Sequence, residues 1–287
     1  MVSSTGEALG ELKDSEEASF IAGGMAVVPL MRERIISPKK LVDISKISEL
    51  AAISYDAKKG LWIGAAATHR QIEESPMVAE YYPSLKEAFH TIGNVRVRSV
   101  GTIGGNLAYA EPQCNPPAIL AALGGQVHVD GPNGPRTIPA EDFIRGVFES
   151  ALEAGEIITH VTVPPPKPRS ASGFYKFTPR SQSDKPVAIV AVHVELDAPL
   201  KKLVDCRIVV GAVGPKAYRC FEAEKEAKKT ETDSIDFAEV ARIASQEFEV
   251  IEDINGPSWY KKQTTAAIIK DLLLKTVETG VAKGKEE

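Results

Sequence analysis

The sequence is poor in several features that mark particular classes of protein. It has three cysteines in 287 residues, and Cys114, Cys206 and Cys220 share no metal-ligand spacing. This number supports neither a disulfide framework nor a zinc or iron–sulfur site, so we expect small buried thiols and no metal in this chain. Lys and Arg total 34 against 39 Asp and Glu, a net charge of −5. Nucleic acid and anionic membranes are therefore not expected as partners.

Signals for membrane insertion or export are also missing from the sequence. Its apolar runs are all shorter than the roughly 20 residues of a membrane-spanning helix. Residues 1–10 lack the basic start and apolar core of a signal peptide. We therefore expect a cytoplasmic protein with no membrane span.

Two glycine-rich stretches stand out in this sequence. Residues 98–106 read RSVGTIGGN and residues 22–29 read AGGMAVVP. Glycine loses much backbone entropy in helices and strands, so we expect turns here rather than helix or strand interior. Successive amides in such turns bind oxyanions without a cationic side chain. We expect the two loops to close on one diphosphate.

Other phosphate-binding motifs are absent from both loops. Neither loop is followed by Gly-Lys-Ser/Thr, and neither contains Gly-x-Gly-x-x-Gly. A single Gly-Gly pair after a strand is also explained by a tight turn, so the hypothesis depends on the pair of loops.

Periodicity and turn residues predict a chain of the α+β class, without internal repeats. Strands are predicted at residues 20–21, 41–44, 61–64, 126–130, 136–139, 157–163, 187–196 and 203–213. Helices are predicted at residues 8–19, 84–89, 118–123 and 237–248, and after Pro257. Helix caps are predicted at Thr68 with Gln71, at Ser84 with Glu87, and at residues 233–234.

The best candidate for a domain boundary is a proline-rich segment. Three prolines at residues 164–166 follow a predicted strand, and Pro168 follows them. Beyond it, two long β-rich runs joined by a short polar turn predict an antiparallel pair. We predict one domain over residues 1–168 and another over residues 169–287.

Four motifs give the chain a family resemblance that covers essentially its whole length. They are AGG at 22–24, LVDI at 41–44, TIGGN at 102–106 and PSWY at 257–260, in this order. Together they resemble the FAD-binding medium subunit of the molybdenum hydroxylases, the xanthine dehydrogenase and carbon monoxide dehydrogenase family. The resemblance implies a PCMH-type FAD-binding domain of two α/β subdomains. A smaller domain with an antiparallel sheet and helices would follow it.

The resemblance also implies which residues bind the cofactor. Two loops would hold the pyrophosphate of FAD, residues 22–27 from one side and residues 102–106 from the other. The segment 111–115 matches residues near the adenosine and ribose end, and Lys176 matches a lysine that approaches the flavin ring. The implied set is Ala22, Gly23, Gly24, Met25, Ala26, Val27, Thr102, Gly104, Gly105, Asn106, Glu111, Asn115, Ile158, Lys176 and Arg180.

The function implied by the resemblance is electron transfer through FAD. Electrons would arrive from 2Fe–2S clusters on a small partner subunit and leave to an external acceptor. The substrate would be oxidised at the molybdenum-pterin cofactor of a large partner subunit. A dimer of heterotrimers, that is a heterohexamer, is implied. This chain would contribute no catalytic acid or base, with Lys176 as a residue that tunes the flavin.

The chain departs from the family pattern at four positions. Met25-Ala26 stands where relatives have a polar residue followed by Ser or Thr, so a hydroxyl contact to phosphate is lost. Asn115 replaces a common aspartate, and Lys185 stands where several relatives have an aromatic residue near the flavin face. Two alternatives therefore stay open. One is a stand-alone FAD-dependent reductase of similar fold, and the other is a non-catalytic scaffold subunit without FAD.

The histidines form no ligand set. His69 is expected on the surface of a helix, and His90, His128, His160 and His193 are expected to be structural.

Overall fold

The computed structural model of the chain describes residues 2–13 and 18–286. It confirms the α+β class, with two main sheets, two short β-pairs and thirteen α-helices among these residues. The helix predicted over residues 8–19 is observed as α1 (Thr5–Lys13), while positions 14–17 of that prediction lie outside the described residues. No helix in this described part combines the length and apolar composition needed to cross a bilayer.

The first subdomain is a parallel β-pair with short helices. Phe20 lies opposite Val42 in the pair, and the helix between the two strands supplies the crossover that parallel strands require. Ile44, Ile47 and Leu50 close a small apolar core with Val42. The elements after α1 are β1 (Ala18–Ile21), α2 (Val27–Arg32), β2 (Lys40–Asp43) and α3 (Ser48–Ala51).

The second subdomain is an antiparallel five-stranded sheet covered by helices. Its strands are β3 (Ile53–Asp56), β4 (Gly60–Gly64), β5 (Gln126–Asp130), β6 (Arg136–Pro139) and β9 (Ile157–Val163), in the order β3-β4-β9-β5-β6. The smaller strands β7 (Ile144–Gly146) and β8 (Glu149–Ser150) form a hairpin. The helices are α4 (His69–Glu74), α5 (Pro76–Tyr81), α6 (Pro83–His90), α7 (Val95–Arg98), α8 (Ile103–Tyr109), α9 (Asn115–Ala122) and α10 (Ala140–Phe143).

Alternation along the strands of this sheet separates its two faces. Val127 and Val129 of β5 are buried in the main core, as period-two patterning predicts. The opposite face carries a row of rings across three strands. His160 stacks on His128 with ring centroids 4.1 Å apart and on Trp62 with centroids 5.0 Å apart. These ring contacts agree with the expected structural roles of the two histidines, which stay a prediction.

The C-terminal part is a four-stranded antiparallel sheet with helices. Its elements are β10 (Ser170–Phe177), β11 (Ala188–Leu196), β12 (Leu203–Gly211), β13 (Tyr218–Arg219), α11 (Phe221–Ala227), α12 (Phe237–Ala244) and α13 (Ser258–Glu286), with a 3-10 turn at Thr232–Ser234. The predicted antiparallel pairing of β11 with β12 is confirmed, with Val192 opposite Ile208. Residues of β11 alternate between two cores: Ile189 and Ala191 join the core of the second subdomain, while Val190 and Val192 join that of the C-terminal helices.

The predicted helix caps are observed at one of three places. Thr68 and Gln71 form a capping box: the Gln71 amide donates to Thr68 Oγ1 at 3.2 Å, and the Thr68 amide donates to Gln71 Oε1 at 2.8 Å. The box predicted at Ser84 and Glu87 was wrong. Pro83 is already the first residue of α6, because proline has no amide to satisfy there, and the Ser84 hydroxyl instead lies 2.7 Å from the Ser172 hydroxyl.

The cap predicted at residues 233–234 was also wrong. Asp236 caps α12, since its Oδ1 accepts from the amides of Ala238 and Glu239, both at 3.0 Å. A carboxylate directly before the helix satisfies the first free amides, which the earlier Asp233 cannot reach.

Candidate functional site

The first glycine loop joins β1 to α2 and presents a run of main-chain amides. Gly24 has a φ of +70°, a left-handed conformation that glycine adopts without strain. Ala26 occupies the N-cap of α2 and supplies no side-chain cap. Within residues 2–13 and 18–286, the amides of residues 23–27 donate no hydrogen bond to the protein. Free amides at the start of a helix attract anions, so this turn has the donors that a phosphate would use.

The second glycine loop differs from the expected turn, because Gly104 and Gly105 lie in the first turn of α8. Thr102 is the N-cap, and its Oγ1 accepts from the Gly105 amide at 3.2 Å. The neighbouring amides are also paired, from Ile103 to Ala67 O at 3.1 Å, from Gly104 to Ala65 O at 2.8 Å and from Asn106 to Thr102 O at 2.9 Å. The expectation that these glycines avoid helix was therefore wrong. This loop contributes a rigid surface and few free donors.

Close backbone packing requires glycine at two positions: Gly23 touches the second loop, and Gly104 touches Ala65. A Cβ on Gly23 would lie 1.9 Å from Val100 O and 3.1 Å from Gly101 Cα. A Cβ on Gly104 would lie 2.6 Å from the Ala65 Cβ. Both positions exclude any side chain, so the free amides of residues 23–27 are held directly beside the start of α8.

Asn106 of α8 belongs to a polar group with Glu111, Cys114 and Lys185. Asn106 Nδ2 donates to Cys114 Sγ at 3.2 Å, and Asn106 Oδ1 is buried without a partner among the described residues. Lys185 Nζ lies 3.1 Å from Glu111 Oε1. Burial raises the pKa of Cys114 to about 12, so this cysteine is a neutral thiol at physiological pH.

Asn115 and Lys176 meet at one residue that the sequence analysis did not single out. Asn115 is 3% exposed, and its Nδ2 donates to Ala88 O at 2.8 Å and to Thr91 Oγ1 at 2.9 Å. Lys176 Nζ donates to Thr91 O at 2.8 Å and to Gln182 O at 2.9 Å. Burial lowers the pKa of Lys176 to about 8. The Asn115 amide group is therefore turned into the protein, and its role toward a cofactor stays a prediction.

Two predicted residues stand apart from this arrangement. Ile158 is buried in the core that also contains Ile103 and Leu107 of α8. The Arg180 side chain is 80% exposed and pairs with Asp184 at 3.3 Å. Ile158 thus shares a core with α8, whereas the Arg180 side chain is exposed to solvent.

His69 was predicted on a helix surface, and this prediction was wrong. It is 3% exposed, its amide donates to Gly101 O at 2.9 Å, and its Nδ1 has no partner in the described chain. Burial lowers the pKa of His69 to about 4, so the ring is neutral at pH 7. The helical spacing from His69 to the buried Ile72 was the available signal. His69 lies beneath the turn that contacts Gly23.

These features define a class of protein. Free amides after the first strand of a parallel pair face a capped helix of an antiparallel second subdomain. Such a pair of facing segments suits an extended dinucleotide cofactor held between two subdomains by its diphosphate.

Comparison with known families specifies the class further. Residues 1–166 match the FAD binding domain in molybdopterin dehydrogenase, and residues 173–276 match the CO dehydrogenase flavoprotein C-terminal domain. The chain belongs to the family of FAD-binding medium subunits of the molybdenum hydroxylases. The predicted cofactor FAD and the predicted fold of an FAD-binding domain with a C-terminal domain are confirmed, as is its assignment to an oxidoreductase subunit.

Individual relatives cover nearly the whole chain. The glyceraldehyde dehydrogenase medium chain of Sulfolobus acidocaldarius is 30% identical over 274 residues, covering 94% of this chain and 92% of that one. The carbon monoxide dehydrogenase medium chain of Hydrogenophaga pseudoflava is 31% identical over 275 residues, covering 94% and 93%. The solved quinoline 2-oxidoreductase of Pseudomonas putida 86 superposes with a TM-score of 0.89 at 30% identity, covering 98% of this chain and 96% of that one.

Proposed function

We propose that this chain carries electrons through FAD, from iron–sulfur clusters on a small partner subunit to an external acceptor. The observation that carries the proposal is the run of free amides at residues 23–27, placed against the start of α8. When bound, the flavin would supply the redox chemistry, and the protein would set its position and the charge around its ring. Substrate oxidation would occur on a large molybdenum-pterin subunit.

Within this proposal, the diphosphate of FAD is bound mainly by the main chain. Amides of residues 23–27 would donate to it. Met25 and Ala26 would supply no side-chain hydroxyl to the phosphate. A single such hydrogen bond contributes about 1 kcal/mol net, so its loss weakens binding without preventing it. Thr102, Gly104 and Gly105 would form the facing surface, and the unpartnered Asn106 Oδ1 would accept from a hydroxyl of the cofactor.

The remaining predicted residues would line the ends of the cofactor. Glu111 belongs to the polar group and pairs with Lys185, while Asn115 and Lys176 meet at Thr91. Ile158, which is buried in the main core, would pack near the cofactor. Arg180 stays a predicted residue of the flavin end, where its exposed side chain pairs with Asp184 at 3.3 Å.

Replacing Lys176 with methionine is expected to lower the reduction potential of the flavin at pH 7. A nearby cation favours the negative charge that reduction adds, and we expect a shift of roughly 30 mV, about 1.4 kcal/mol for a two-electron couple. Lys176 has a pKa lowered to about 8, so its charge is present below that pH and lost above it. The difference between variant and wild type should therefore vanish near pH 10.

Spectroelectrochemical titration of the holoprotein across this pH range measures the effect. Lys225→Met is the matched control, because its side chain lies on a helix of the C-terminal part, is 65% exposed and pairs with Glu222, so its charge is screened by solvent. Equal potentials of Lys176→Met and wild type at pH 7 would remove this lysine from the site.

We further propose a dimer of heterotrimers in the cytoplasm, and a domain boundary near residue 168. The two family matches leave residues 167–172 between them, which supports this boundary.

Co-purification tests the proposed function directly. A tagged chain expressed with its genomic neighbours should retain a large and a small subunit, bound FAD, molybdenum and iron. A chain that holds FAD but recruits neither subunit would favour the stand-alone reductase. A colourless chain that takes up no FAD on reconstitution would favour the scaffold alternative.

A further inference from the structure

The tip of the β7–β8 hairpin holds an aromatic residue in a conformation that aromatic residues rarely adopt. Phe148 has a φ of +56°. Its side chain is 55% exposed, and its neighbour Val147 is 49% exposed. Turn positions with positive φ normally take glycine, asparagine or aspartate, because a Cβ is crowded there. A half-exposed phenylalanine therefore gains little from burial and costs backbone strain.

A second left-handed residue holds this tip in place. Ala110 ends α8 with a φ of +53° and is 1% exposed. The Phe148 amide donates to Ala110 O at 3.0 Å. Two strained residues are thus joined by a main-chain hydrogen bond, and one of them belongs to the helix that begins at Thr102. Strain of this kind concentrates at ligand-binding sites, where the surrounding structure maintains it.

The ring of Phe148 forms a pair with Tyr109. Their centroids are 5.0 Å apart and the planes make an angle of 48°. Burial raises the pKa of Tyr109, the negative charge of Glu111 raises it further, and Lys185 opposes this. Tyr109 also lies two residues before Glu111 in the chain, and Glu111 pairs with Lys185 at 3.1 Å. The ring pair consequently lies at the edge of the polar group formed by Asn106, Glu111, Cys114 and Lys185.

Packing within the chain does not account for the Phe148 ring. It belongs to none of the three apolar cores formed by the described residues. Its position beside a set of polar groups instead suits a flat ligand that is apolar on its faces and polar at its edges. Aromatic side chains stack on such rings with favourable geometry.

We propose that Tyr109 and Phe148 form an aromatic wall that contacts a planar nitrogen-heteroaromatic ring at this end of the cofactor site. The inference rests on the proposed function, because it takes the polar group to border bound FAD. The ring is either part of FAD itself or part of an electron acceptor that approaches it. Both are planar nitrogen-heteroaromatic rings, which is the chemistry that the aromatic wall would contact.

The experiment uses the co-purified holo complex and three variants. Phe148→Asn removes the ring and tolerates the left-handed conformation, Phe148→Tyr keeps the ring, and Val147→Ser is the control at the same tip. The measurements are the Kd of FAD for the deflavinated complex, and KM for two acceptors. Methylene blue is a planar heteroaromatic acceptor, whereas ferricyanide has no aromatic ring.

A ring of FAD is indicated if Phe148→Asn raises the Kd of FAD about three- to tenfold. A ring of the acceptor is indicated if it raises KM for methylene blue by that factor while FAD affinity and ferricyanide kinetics stay unchanged. In either case Phe148→Tyr and Val147→Ser should resemble wild type. The thermal midpoint of Phe148→Asn should not fall, since strain is relieved.

Two results would overturn the inference. One is a Phe148→Asn complex with unchanged FAD affinity and unchanged kinetics for both acceptors. The other is loss of a partner subunit from this variant at unchanged FAD affinity, which would make the tip an assembly contact. A wild-type complex without FAD would overturn the proposed function as well, so the two failures are distinguishable.

Discussion

Replacing Gly23 with alanine is expected to raise the Kd of FAD at least about 100-fold, a loss of about 2.7 kcal/mol. The added Cβ would lie 1.9 Å from Val100 O and 2.8 Å from the Val100 carbonyl carbon, both main-chain atoms that no rotamer change can move. The loop must therefore separate from the start of α8. Its amides would no longer face the second loop.

Titration of the apoprotein with FAD, together with flavin absorbance per chain after purification, measures this effect. Gly10→Ala is the matched control, because nothing lies within 4 Å of a Cβ at that position of α1 and alanine favours a helix. Both variants should unfold cooperatively on heating. A folded Gly23→Ala protein that retains FAD at wild-type affinity would show that the contact between the loops is dispensable.

Position 105 accommodates a side chain more easily than its place in the TIGGN motif suggests. A Cβ there would meet only Thr102 Oγ1, at 2.9 Å, and the residue is exposed. Substitution at Gly23 or Gly104 should therefore be more damaging than substitution at Gly105.

Replacing Arg219 with methionine is expected to destabilise the fold by about 3 kcal/mol. Its guanidinium contacts Glu224 at 2.9 Å and 3.0 Å and Glu141 at 3.1 Å. Burial raises the pKa of Glu224 even though Arg219 opposes this, so the carboxylate is already unfavourably desolvated. Removing one partner of a buried ion pair costs about 3–5 kcal/mol, and the partial exposure of Arg219 places the estimate at the lower end.

Denaturant unfolding of the wild type and of Arg219→Met measures the difference in their free energies of unfolding. The matched control is Arg242→Met, since Arg242 also binds a carboxylate with two nitrogens, both 2.7 Å from Glu239, but on an exposed helix face. Its midpoint should hardly change, because solvent screens exposed pairs. Equal midpoints for the Arg219 and Arg242 variants would show that the buried network adds nothing to stability.

Strand positions were predictable from the sequence because they depend on local alternation and turn residues. β5, β9, β11 and β12 were all found within two residues of the predicted bounds, and the hairpin of β5 with β6 follows from the glycines between them. The capping box at Thr68 was predictable for the same reason, since both of its partners lie within one helical turn.

Features that depend on distant partners were not predictable in this way. The sequence places Gly104 and Gly105 in a flexible turn, but the carbonyls of Ala65 and Ala67 accept the first amides of α8 and stabilise a helix there. His69 has a polar side chain, yet the packing of α4 on α6 buries it beside Phe89, with ring centroids 5.5 Å apart. Thr91 is an ordinary helix-end residue in sequence and a junction between Asn115 and Lys176 in space.

The directions in which side chains point were also not predictable from the sequence. Family resemblance assigns Asn115 to the cofactor by its position in the chain, whereas its amide group is committed to Ala88 and Thr91. A motif match specifies the residue but not the rotamer.

The free amides of residues 23–27 have a consequence for mutational scanning. An alanine scan removes side chains and leaves every main-chain donor in place, so Met25 and Val27 would score as tolerant positions even if their amides bind the ligand. The scan would register strongly at Gly23 and Gly104, where alanine adds an atom. The positions most sensitive to alanine would therefore be those where a Cβ does not fit. Backbone amide-to-ester substitution at residues 23–27 would be needed to reveal the donors themselves.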